Sequence, residues 1–114
     1  MTNAVLEAKL WYWQRVSAMA LAFFVLVHLG TMIYAVQGGL SAAEILGRTR
    51  GSWHFGGFYA LFVLAAAVHT SIGLAAIAEE WLGLEGRVAR TLALAFALLL
   101  AVMGLRAVYG VVLG

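Results

Sequence analysis

Residues 55–78 read FGGFYALFVLAAAVHTSIGLAAIA and contain no Asp, Glu, Lys or Arg. The run exceeds the roughly 20 apolar residues that cross the hydrocarbon of a bilayer. Backbone in lipid must satisfy its own hydrogen bonds, so the stretch is predicted to be a transmembrane helix. Its one ionisable side chain besides Tyr59 is His69. The same reading extends outward in both directions. Residues 16–36 and 88–113 are two further apolar runs free of Asp, Glu and Lys. Within the three runs, apart from tyrosines, only His28, His69, Arg90 and Arg106 carry ionisable groups.

Composition agrees. The 114 residues are 65% hydrophobic and 11% charged, about half the charge of a soluble domain. With no proline, nothing breaks long helices. With no cysteine, the chain has no disulfide, thiolate metal site, iron–sulfur ligand set or covalent c-type haem. The seven basic residues flank apolar runs and form no patch, so no nucleic-acid partner is expected. The first apolar run follows Glu7 and three consecutive aromatics without a small-residue cleavage site, and reads as a retained span rather than a signal peptide.

The links are GGLSAAEILGRTRGS, residues 38–52, and EEWLGLEGR, residues 79–87. The second is short, which makes the last two spans antiparallel neighbours. The predicted fold is an all-α integral membrane bundle of three transmembrane helices, one domain over 1–114, with a short N-terminal interfacial segment. In that segment Asn3 would cap a surface helix, and Trp11, Tyr12 and Trp13 suit the headgroup layer. Trp53 and Trp81 stand at the two ends of the middle span. Lys9, Arg15, Arg87 and Arg90 share one side against Arg48, Arg50 and Arg106 on the other. That balance favours the N-terminus inside, and the expected location is a bacterial or archaeal cytoplasmic (inner) membrane.

An ionisable residue inside a span is a functional candidate. His69 has two readings: an interhelical hydrogen bond, or an axial ligand of a b-type haem held in an apolar bundle. Gly73, one turn on, would let a macrocycle or another helix approach, and Ala65 and Ala66 are small as well. His28 lies on a stripe with Ser17, Leu21, Phe24 and Thr31. Centring each span in the bilayer separates His28 and His69 by only about 6 Å in depth. On that basis His28 could ligate a second haem, share one haem with His69, or make a structural hydrogen bond. His54 opens the middle span and reads as a solvated interfacial side chain. Arg106 either pairs with haem propionates or snorkels.

At the other end of the spans, Arg15, Ser17 and Trp81 could donate hydrogen bonds to a quinone headgroup, and Glu79 or Glu80 could pass its protons. The plainer reading is a snorkelling Arg, an interfacial Trp and loop carboxylates. At the level of function this leaves a haem-binding electron carrier, a haem-free structural anchor, or a b-type cytochrome of another quinone oxidoreductase.

His69, Gly73, Glu80 and Trp81 resemble the second-helix signature of the membrane-anchor cytochrome b subunits of succinate dehydrogenase and fumarate reductase. That signature is a haem-ligating His, a Gly one turn later, and an acidic residue followed by Tyr near the helix end. WQRVSAMAL, residues 13–21, is similar to the family's first-helix entry, an Arg followed by a small residue and Ser or Thr. The resemblance implies an anchor for a flavoprotein and an iron–sulfur subunit, relaying electrons between the iron–sulfur clusters and a quinone. It implies His69 as an axial ligand of haem b, with one or two haems per complex shared with a partner chain. It also implies Arg15, Ser17 and Trp81 as quinone-pocket residues, with Glu80 beside them. Three departures stand out. Trp81 replaces the Tyr, Trp11 replaces a Ser found one turn before the Arg, and His28 matches only the two-haem members. A single His per haem requires a second anchor subunit, or a second copy, to complete the iron.

Overall fold

The computed structural model describes residues 4–114, which form four helices: α1 (Ala4–Gly38), α2 (Ala42–Thr49), α3 (Trp53–Leu82) and α4 (Gly86–Val112). Helices α1, α3 and α4 contain the three expected spans and are each long and apolar enough to cross a membrane. Asn3 lies outside the described residues. Residues 4–14 do not form a separate surface helix; they are the first turns of α1. The physical reason is plain in the sequence: no proline or glycine lies between Ala4 and Ala20 to end the helix. At 1.5 Å per residue α1 is about 50 Å long, which matches the 51 Å long axis of the molecule. Hydrocarbon takes up about 30 Å of that, so Trp11, Tyr12 and Trp13, all exposed, sit where the helix emerges.

The first link holds a helix that the glycine-rich reading passed over. Ser41 Oγ accepts from the Glu44 backbone N–H at 3.2 Å and donates to Glu44 Oε1 at 2.7 Å. The Ser-x-x-Glu spacing is a capping signature that was legible in SAAE. The residues after α2 close the far end of α4. Thr49 Oγ1 donates to the Val111 carbonyl at 2.8 Å, Gly51 N–H to Val112 at 2.7 Å and Arg50 to Gly114 at 2.9 Å. These donors satisfy carbonyls that a helix end leaves open. At the opposite end, Gly83 takes the left-handed conformation (φ 67°) that stops α3 and turns the chain into α4 within three residues.

Helix α3 is central and packs against both α1 and α4. The buried apolar residues are nearly all alanine: Ala75 and Ala78 on α3, and Ala89, Ala93 and Ala97 on one i, i+4 stripe of α4. At Gly104 an added Cβ would stand 2.7 Å from Val63 Cγ1, so only glycine permits this approach of α3 and α4. Large side chains face outward, as at Leu26, Leu98 and Val102. Lipid gives helices no hydrophobic reason to associate, so small residues and close contact do it instead.

Candidate functional site

The register of α1 against α3 sets the depth of each histidine. Ser17 lies level with His69, Phe24 stacks on Phe62, and His28 lies level with Tyr59. The two histidines therefore differ by the ten-residue step from Tyr59 to His69, about 15 Å along the helices. The separation of about 6 Å expected from centring both spans does not hold. Side-chain packing, not the midpoint of each apolar run, decides how far α3 slides along α1. Two imidazoles on one metal stand only about 4 Å apart, at about 2 Å per metal–nitrogen bond. His28 and His69 of one chain therefore cannot share one iron.

His69 is half-buried, with Nδ1 3.4 Å from Ser17 Oγ. Ser17 is one of two buried polar residues among those described, only 5% exposed. Its hydroxyl donates its one proton to the Gln14 carbonyl at 3.1 Å. With its proton so placed, Ser17 accepts from Nδ1–H, the arrangement that leaves the lone pair on Nε2. Nε2 has no hydrogen-bond partner, and the one buried partnerless side-chain polar atom among the described residues is Gln14 Oε1. Nε2 is thus not fully buried. An imidazole whose Nε2 has no partner could offer that one nitrogen to a haem iron. Among the described residues no three His, Asp or Glu side chains converge, so a single axial nitrogen is the kind of ligand available.

The room that Gly73 leaves is taken from within the chain. A Cβ there would meet Gln14 Nε2 at 2.9 Å. Of the two occupants expected over Gly73, the structure places α1 there.

His28 sits in a different setting. Thr31 Oγ1 donates to the His28 carbonyl at 2.7 Å, Tyr59 Oη lies 3.1 Å from Thr31 Oγ1, and His28 Nδ1 lies 2.9 Å from Tyr59 Oη. Counting protons as before, the chain runs from His28 Nδ1–H to Tyr59 to Thr31 and back to the His28 backbone. The rings of Tyr59 and Phe62 pack edge-on to the imidazole at 5.6 and 5.9 Å. Tyr59 was not singled out by sequence. Its signal, in hindsight, is a phenol inside a span, where its hydroxyl needs a partner.

Near the entry of α1, the exit of α3 and the start of α4 lies a cleft of about 770 Å³. Glu7, Gln14, Arg15, Ser71, Glu79, Glu80 and Arg90 supply its polar lining. The Arg15 guanidinium lies over the Trp11 ring at 5.0 Å, a cation–π contact that fixes the charge at the mouth. Arg15 and Glu80, expected here, are brought together. Ser17 is turned to His69 and does not line the cleft, and Trp81 is 82% exposed outside it. Gln14 and Arg90 were not expected here. Gln14 could have been found as the amide one turn before Ser17. Arg106 is exposed on α4, beyond Gly104, which packs on Val63. It therefore lies about 12 Å in depth from His69, on the side away from the cleft. His54 is exposed and stacks on Trp53 at 4.2 Å.

The family described as succinate dehydrogenase/fumarate reductase transmembrane subunit matches residues 1–106. No curated protein and no solved structure matches the chain.

Proposed function

The chain belongs to the succinate dehydrogenase/fumarate reductase transmembrane subunit family, and on that premise we propose that it binds haem b and relays electrons between the iron–sulfur subunit and a membrane quinone. The observation that carries this reading is His69, with Nδ1 against Ser17 and Nε2 without a partner. A b-type haem at this position would supply one-electron transfer. His69 gives it one axial nitrogen. Because His28 is about 15 Å away in depth, the second nitrogen comes from a second anchor subunit or another copy of this chain. The His28 Nδ1 contact to Tyr59, at 2.9 Å, is tighter than that of His69 to Ser17, at 3.4 Å, and in this reading His28 serves that interhelical contact.

The cleft is the quinone site in this reading. Arg15 and the Gln14 amide donate to a carbonyl of the headgroup, while Glu79 and Glu80, both exposed at the mouth, exchange protons with water. Trp81 remains a headgroup-layer aromatic, and Arg106 snorkels at the far side. The flavoprotein and iron–sulfur subunits dock on the cleft side. That side carries Lys9, Arg15, Arg87 and Arg90, which supports a cytoplasmic placement of the N-terminus.

The test is the reduced-minus-oxidised absorption spectrum of the assembled complex. A b-type α-band is expected, and His69→Ala should abolish the signal of the haem it holds. A complex with no such band is a haem-free anchor, and the proposal falls.

A further inference from the structure

We propose that Ser17 is a positioning residue for His69, and not a quinone ligand. The inference rests on the haem reading above and concerns a residue whose type and place alone suggested the quinone. Three observations carry it. Ser17 is 5% exposed and absent from the cleft lining. Its proton is committed to the Gln14 carbonyl at 3.1 Å. Its oxygen faces His69 Nδ1 at 3.4 Å.

The consequence is chemical. An imidazole that ligates through Nε2 must carry its proton on Nδ1, and a hydrogen-bond acceptor at Nδ1 holds both that tautomer and the ring orientation. Such an acceptor also makes the ligating nitrogen more basic. Here the acceptor is a serine hydroxyl whose hydrogen is directed at the backbone of α1. Helix α1 thereby sets the state of a ligand on α3. Metal binding at Nε2 makes Nδ1–H a stronger donor, so the 3.4 Å contact should shorten when the site is filled.

Ser17→Ala removes the acceptor and leaves helix and volume almost unchanged. In the assembled complex we expect haem affinity to fall 10–100-fold, the usual cost of losing a partner behind a metal-bound imidazole. In the haem that remains, the midpoint potential should rise, because a less basic imidazole favours the ferric state less. Ser17→Thr keeps the hydroxyl and should restore both properties. The KM for quinone should not change in either variant. Unaltered haem content and potential in Ser17→Ala overturn the proposal. So do equal losses in the Ala and Thr variants, which would mean that packing and not the hydroxyl matters. A raised quinone KM with intact haem would return Ser17 to the quinone site. A wild-type complex without a b-type spectrum removes the haem reading itself, a different failure from a wild-type haem that ignores Ser17.

Discussion

The seam between α1 and α3 has two halves built from different material. Towards the α2 end, Phe24, His28, Phe58, Tyr59 and Phe62 interlock through ring contacts with centroids 5.0–5.9 Å apart, and Tyr59 Oη joins His28 Nδ1 to Thr31 Oγ1 by short contacts. Towards the cleft, the seam consists of Ser17, Gln14, His69 and Gly73. Its interhelical hydrogen bond is long at 3.4 Å, and it holds the buried Gln14 Oε1 with no partner. One half is filled by interlocking rings. The other is under-filled and has nitrogen and oxygen atoms to spare. Buried polar groups without partners cost free energy, which supports the proposal that the sparse half takes a cofactor, quinone or partner helix while the aromatic half holds the two helices in register.

The largest expected contrast is between the two histidines. His69→Ala should remove a haem, whereas His28→Ala should leave haem content and spectrum as they were. The second variant should instead lower the unfolding stability of the chain in detergent, by up to about 1.7 kcal/mol for its interhelical hydrogen bond. Loss of a haem signal from His28→Ala would erase the division between a working half and a scaffolding half, and would make His28 the ligand of a second haem.

Gly73 sharpens the division next. If the macrocycle lies over this glycine, even Gly73→Ala should reduce haem content. The geometry predicts otherwise, because a methyl would meet only the mobile end of Gln14. Gly73→Ala should therefore keep its haem, with the amide moved aside. Gly73→Leu would have to push α1 itself, at a cost of about 1–3 kcal/mol, readable as a lowered midpoint of thermal unfolding. Haem loss in the alanine variant would put the cofactor over Gly73 and Gln14 elsewhere.

The spans were legible because hydropathy and the absence of charge act over some twenty residues and outweigh any local choice. The identity of His69 as a candidate was legible for the same reason: an imidazole costs too much in lipid to be incidental. Its depth relative to His28 was not legible. Register depends on which side chains interlock across the seam, here Phe24 on Phe62 and Gln14 over Gly73, and nothing in either helix alone encodes that pairing. Ser17 illustrates a second limit. Its residue type and place at the membrane entry suit a quinone donor, yet one backbone carbonyl three residues earlier takes its proton and changes what it can do. Residues 4–14 show a third. Aromatics that suit an interface say where a segment sits, not that a new helix begins there.

The smallest expected effect is the most direct check on the under-filled half. Gln14→Met keeps the length of the side chain, and thioether flexibility lets it fill the same space over Gly73. It also removes the buried oxygen that has no partner. Such an atom costs about 1–3 kcal/mol, so the variant chain without quinone should unfold about 1 kcal/mol less readily than the wild type. The same change takes a donor out of the cleft, and the quinone KM should rise by up to about tenfold, the worth of one hydrogen bond of about 1.4 kcal/mol. Stability and substrate binding would then move in opposite directions from a single substitution. That pattern marks a group kept for its ligand and not for the fold. If Gln14→Met loses stability instead, the amide is already satisfied, and the cleft half of the seam is as well filled as the aromatic one.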